Sequence, residues 1–326
     1  MKNLKWLSLM AAVLLIGSQG YAADDSDDSA GKSSLKVEEV NPNTNKVDGD
    51  IDEEITNARM RAESGSKSKW SMSSSVAYTG GSFSRPFGVD RPNIAGLPGQ
   101  QVATSLGGSL NARYRANKND SFTLGTSFGV MTPFAGDVGK ADKQINIFDP
   151  VLGYSRVFAT DTGFQNIFDA AVDYATSNES LDVDYLTGPS VSLTSLKTFD
   201  KLTAGLSVSV GYNFYTSKAG DNKETADPGF YGGDHRTQWS LGVYPFAEYA
   251  FNDTFQFRTV FGWFNYRNLY GDSNKTRLLK VYDYQSVGVG IVASRNVYIY
   301  PNVQFVPDNI RSDFTNVSIS ATINMF

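Results

Sequence analysis

The chain has 326 residues, of which 21 Phe, 17 Tyr and 4 Trp make 42 aromatics, or 13%, beside 30 glycines. Charged residues reach only 19%, and 29 basic against 34 acidic side chains leave a net charge of −5, which argues against a protein that reads nucleic-acid phosphates. The absence of cysteine and the single histidine, His235, exclude thiol nucleophiles, disulfides, cysteine zinc sites and any site that needs two histidines.

From the start, Lys2 and Lys5 precede an apolar run from Trp6 to Ile16 and small residues around Gly20-Tyr21-Ala22. These are the three regions of a secretory signal peptide, predicted over residues 1–22, and the run is too short for a ~20-residue membrane helix. Residues 23–68 read as an acidic, largely disordered segment, opening with Asp24, Asp25, Asp27 and Asp28 among serines. One stretch differs. Asp50-Ile51-Asp52-Glu53 resembles a capping box, and Ile51, Ile55, Ala58 and Ala62 form a thin apolar stripe, so a short helix is predicted near 50–63. It either rests on its own domain or docks or plugs elsewhere.

After Trp70 the apolar period becomes two and stays so to the end of the chain. The cleanest instance is Leu202, Ala204, Leu206, Val208, Val210, Tyr212 and Phe214, interleaved with Thr203, Gly205, Ser207, Ser209, Gly211 and Asn213. Such a segment is a strand with one apolar and one small polar face. Twelve are predicted, near 69–80, 102–115, 121–132, 147–159, 163–176, 189–199, 202–215, 237–251, 255–266, 279–293, 297–305 and 314–326, with ten to fourteen compatible with the pattern. The connectors alternate: tight turns at 116–120, 160–162, 200–201, 252–254 and 294–296 separate longer segments such as 81–101, 133–146 and 216–236. A β-sandwich has no reason to put its short turns at one end, whereas a transmembrane β-barrel does.

Beside the tight turns the apolar face becomes aromatic, at Trp70, Tyr114, Phe122, Phe158, Phe164, Tyr249, Phe251, Phe255 and Phe257. These positions suit a girdle where headgroups meet hydrocarbon. With the signal-peptide pattern and a C-terminal Phe326, this resembles the Gram-negative outer-membrane β-barrel proteins, porin-like, over residues 69–326. The resemblance implies an all-β, antiparallel up-and-down barrel of about twelve strands, with both termini periplasmic. It also implies outer-membrane lipid and lipopolysaccharide as surroundings and the barrel-assembly machinery as a biogenesis partner. In the family a terminal aromatic is an assembly signal; here Phe326 has the opposite parity to the apolar row Val317, Ile319, Ala321, Ile323 and Met325, which weakens it.

No organised catalytic or metal motif stands out, and no cofactor is expected. Asp234 and His235 are adjacent, so on an extended segment they point opposite ways, poor geometry for a dyad. Asp221, Asn222, Glu224 and Asp227 offer oxygen ligands without calcium-loop spacing. The polar face carries few charges, and Arg113, Asp169, Asp173, Glu248, Arg258 and Lys280 are the candidates for lining a lumen and setting selectivity. A three-residue turn at 252–254 pairs Glu248 with Arg258 across neighbouring strands. The expected function is a narrow, weakly selective channel for small hydrophilic solutes. A closed barrel serving as envelope scaffold, loop-display or adhesion protein is the alternative, and an outer-membrane hydrolase a third.

Overall fold

The protein is described by a computed structural model for residues 49–94, 101–134, 145–218, 236–272, 274, 276–280 and 283–325. The expected signal peptide, the acidic stretch up to residue 48, most of the 216–236 loop with His235, and Phe326 lie outside the described residues.

The strands in chain order are β1 (Trp70–Ser82), β2 (Asp90–Pro92), β3 (Gln101–Ala103), β4 (Ser105–Arg115), β5 (Asp120–Met131), β6 (Ile145–Ala159), β7 (Gln165–Tyr174), β8 (Tyr185–Phe199), β9 (Leu202–Tyr212), β10 (Phe214–Tyr215), β11 (Thr237–Ala250), β12 (Phe255–Gly262), β13 (Phe264–Leu269), β14 (Leu279–Lys280), β15 (Tyr284–Ser294), β16 (Val297–Phe305) and β17 (Asn316–Met325). β2 and β3 form a separate small hairpin in the first long loop. The others pair antiparallel with their neighbours, and β17 returns to β1 with Met72 opposite Met325 and Tyr78 opposite Ile319. Counting β9 with β10, β12 with β13 and β14 with β15 as single staves, the ring has twelve. Closure leaves no lengthwise edge unpaired, the condition for a sheet to sit in hydrocarbon.

Alternation sorts the side chains. One row, including Leu110, Leu124, Leu152, Val191, Leu206 and Ile319, is exposed. The other is small and polar, and near the tight turns it is buried, at Ser71, Ser121, Ser155, Thr203 and Asn324. The apolar row therefore points outward and the polar row into the barrel. Staves of 15 residues (β6) and 11 residues (β9) meet the ~9–11 that a tilted strand needs to cross a bilayer.

The expected 255–266 strand is split. Phe261 and Trp263 face outward on one parity, Phe264 and Tyr266 on the other, and Trp263 lies between β12 and β13. The extra residue shifts the register by one and keeps the exposed Trp263 and Phe264 both on the outer surface.

The predicted 50–63 helix is two pieces, a 3-10 turn at Ile51–Glu53 and a helix, α1, at Ala58–Glu63. The break has a cause: the Gln165 Oε1 accepts the backbone N–H groups of Thr56 and Asn57, each at 3.0 Å, and Asn57 then caps α1 by accepting from Met60 N. This segment lies inside the barrel. Ile51, Ile55 and Met60 pack with Val157, Ile167, Leu196 and Phe246, the largest buried apolar cluster among the described residues.

Candidate channel lumen

Val157, Ile167, Leu196 and Phe246 occupy the polar parity of their strands, beside tight turns, and so present an apolar patch to the interior. The patch receives Ile51, Ile55 and Met60, each no more than 2% exposed. Residues 49–68 thus form an inner plug at the short-turn end, continuous with the wall at Trp70.

Charge fixes the plug's orientation. Glu248 and Arg258 are directly opposite on β11 and β12, as the turn length implied, with Arg258 Nε 3.1 Å from Glu248 Oε1. Arg59 of α1 completes the arrangement: its Nε donates to the same Oε1 at 2.6 Å, while Asn57 Nδ2 donates to Oε2 at 3.0 Å. The guanidiniums of Arg59 and Arg258 lie 4.7 and 5.7 Å from the Phe246 ring centroid. Arg59 also pairs with Glu63, one helical turn on. Burial pushes the Glu63 carboxyl up to about 8, against the pull of Arg59 and Arg258 and with the carboxylates of Asp169 and Glu248 adding to the rise.

A second set of contacts grips the end of α1. Gly65 adopts φ +75°, the left-handed turn that ends a helix and favours glycine, and it fans out the carbonyls of residues 64–66. Arg113 Nη1 donates to Ser64 O at 2.7 Å, and Arg115 donates to Ser64 O and, at 2.9 Å, to Ser66 O. From the last tight turn, Arg295 donates to Gly65 O at 2.7 Å and takes Asp52 bidentately at 2.9 and 2.7 Å. At the rim Lys118 holds Glu54 at 2.5 Å and Lys67 holds Asp50 at 2.8 Å; these partners keep both carboxyls below their usual range although burial opposes the shift, more strongly at Asp50.

The remaining sequence candidates are dispersed. Asp169 faces inward between Ser155 and Ser192, within electrostatic reach of Arg113. Asp173 lies farther toward the long loops, accepting from Tyr185 Oη at 2.5 Å and Gly188 N at 2.6 Å. Lys280 is not brought to the lumen. It lies on β14 opposite Tyr266, whose other partner is outward Leu241, and it is exposed and paired with Asp283 at 2.8 Å.

At the far end the first long loop also turns inward, with Arg91 reaching Gln304 and Pro92 O accepting from Asn316. Arg236 is stacked between Tyr215 and Tyr270, at 4.7 and 4.8 Å.

Outside, Trp70, Phe122, Phe164, Tyr249, Phe251, Phe255 and Phe257 are exposed beside the tight turns, with Tyr114 and Phe158 half-buried among them. Trp70 packs on Tyr114 and Tyr249 on Phe251, at 4.7 and 5.6 Å between centroids. A matching set, Tyr174, Tyr212, Phe214, Trp263 and Phe264, is exposed toward the long loops. Two aromatic belts thus flank an apolar band on a closed barrel, the surface of a protein solvated by lipid.

The chain is a closed, twelve-stave antiparallel β-barrel with a lipid-facing exterior.

No family model and no curated protein matches the sequence. Among solved structures it is similar to the COG4313 outer membrane channel from Pseudomonas putida F1, at TM-score 0.49 and 11% identity over 81% of this chain and 98% of that one. It is also similar to the NanC porin, at TM-score 0.42 and 8% identity over 78% and 98%. The KdgM porin in complex with disordered oligogalacturonate gives TM-score 0.41 and 8% identity over the same shares, 78% and 98%.

The outward row and the Glu248–Arg258 pair were legible from period and turn length. Arg59, Arg115 and Arg295 were not read as partners of the plug. The available signal was the patch Val157, Ile167, Leu196 and Phe246: apolar side chains on the polar parity need something apolar inside.

Proposed function

We propose that the barrel is a narrow, weakly selective channel for small hydrophilic solutes. In this reading the short turns and both ends of the wall are periplasmic, the long loops face outward, and residues 49–68 close the inner end. The observation that carries it is how the interior is filled. About eight staves enclose an interior that wall side chains alone can fill, and twelve leave more to fill. Here the wall lines the interior with serines such as Ser75, Ser109, Ser192 and Ser207 on one side and with Tyr244, Tyr298 and Tyr300 on the other, while the apolar bulk at the short-turn end belongs to a segment covalently joined to the wall only at Trp70. A filling joined at one place can leave without unpairing a single stave.

Planar-bilayer recording of the full chain and its Arg59→Ala variant tests the reading. The wild type should give small, infrequent steps, and the variant, which removes the plug's ion pair with Glu248 while leaving Glu248 its Asn57 and Arg258 partners, should open more often. Silence from both, with heat-modifiable barrels confirmed on gels, would make the protein a closed scaffold.

A further inference from the structure

We propose that Arg113, Arg115 and Arg295 form an oxyanion site on the inner wall, masked by the plug in the closed state, and that carboxylate- or phosphate-bearing solutes compete with the plug for it. The proposal rests on the channel reading and names the solute class that reading leaves open.

The site is built from the wall and occupied by the plug's own oxygens. Three guanidiniums from two parts of the barrel, β4 and the last tight turn, converge on the carbonyls of three consecutive residues, 64–66. One of them already binds a carboxylate: Asp52 sits on Arg295 in the paired-fork geometry by which guanidinium recognises carboxylate and phosphate. The plug therefore shows which chemistry the site accepts. Arg115 and Arg295 are buried, and Arg113 Nε meets no acceptor among the described residues. Neutral amides would satisfy peptide carbonyls with far less desolvation than guanidiniums, so holding a helix end alone does not call for three arginines.

The local balance sets the sign. When residues 49–68 withdraw, their acids Asp50, Asp52, Glu53, Glu54 and Glu63 go with them, as do Arg59, Arg61 and Lys67. Around the vacated space the described wall then presents Arg113, Arg115, Arg258 and Arg295 against Glu248 and Asp169, so guanidiniums exceed carboxylates by two. The open constriction is anion-attracting although the whole chain carries −5. Competition for one set of donors is reciprocal: a solute that the plug excludes must, on binding, weaken the plug. An oxyanion solute thus favours the opening of its own path.

The chain has no cysteine, so a plug–wall disulfide has no background. A Cβ built on Gly49 lies 3.7 Å from the Cβ of Lys118, within disulfide range; Gly49 has φ +84°, so Cys there is strained in every salt alike and rates are compared only within this double variant. In purified full-length Gly49→Cys/Lys118→Cys barrel, succinate should slow disulfide formation severalfold relative to chloride at equal ionic strength, and inorganic phosphate should act likewise. Adding Arg113→Gln should remove most of that difference. In a KCl gradient, wild-type openings should show an anion-selective reversal potential that Arg113→Gln and Arg115→Gln each move toward cations. Equal crosslinking rates in succinate, phosphate and chloride, or cation-selective wild-type openings, would overturn the proposal. A barrel that never conducts yet shows succinate-slowed crosslinking would keep the site and remove the channel.

Discussion

Glu63 is the side chain whose chemistry depends most on whether the plug is seated. Free in water its carboxyl titrates near 4.5; seated, it is raised to about 8 by burial, facing Arg59 on its own helix and Arg258, Glu248 and Asp169 on the wall. Seating therefore takes up a proton between those values. The stabilisation is fully present below about 4.5 and is lost as pH rises through about 8, above which the dependence flattens. Glu54 has the opposite sign, since its contact with Lys118 lowers its pKa and its contribution fades only in acid, below the Glu63 window. Open probability in bilayers should accordingly rise from mildly acidic to mildly basic pH, and Glu63→Gln should flatten the rise; identical profiles for the two proteins would remove Glu63 from the account. The Glu248–Arg258 pair makes a separate prediction. Glu248 is only 2% exposed and holds Arg59 as well as Arg258, so neutralising it costs more than an exposed cross-strand pair would. The staves are nevertheless held by backbone bonds, and heat-modifiability on gels verifies that each variant still folds. Glu248→Gln should shift reversal potentials toward anions and Arg258→Gln toward cations. Unchanged potentials in both would make the pair structural only.

At the level of elements, the plug and the wall differ in how much their sequences disclose. A stave is legible because one parity meets lipid along its length; the single residue Trp263, by resetting that parity, accounts for the split of the strand predicted over 255–266. The plug is legible only in part. Its apolar stripe at Ile51, Ile55 and Ala62 marks a buried face, but the bonds that break it into a turn and a short helix come from Gln165, over a hundred residues away along the chain. Local capping signals could not foresee them. Gly65 gives this element its most sensitive point. A Cβ there would approach Arg113 Nη1 to 2.5 Å, and the left-handed backbone costs a non-glycine residue ~1–2 kcal/mol. Gly65→Ala should leave barrel assembly and heat-modifiability intact while making openings more frequent. Normal gating in this variant would mean that α1 does not end on the arginines as described.

At the scale of the whole molecule, a polar-lined ring closed by its own backbone encloses a segment that is part of the same chain but not of the wall. Orientation follows from asymmetry between the ends, and can be read on cells. Protease added outside should cut within 216–236 before it cuts the Asn252–Thr254 turn, and the reverse order would invert the topology. The most direct test of the central claim, that residues 49–68 close the inner end, is the conductance of Gly49→Cys/Lys118→Cys barrels recorded first oxidised and then reduced in the same bilayer. The account predicts silence or rare, small steps while the disulfide holds the plug, and after reduction openings at least as frequent as those of the wild type, because Lys118→Cys also removes the Lys118–Glu54 contact. Full-sized openings in the oxidised protein, with crosslinking verified, would contradict it.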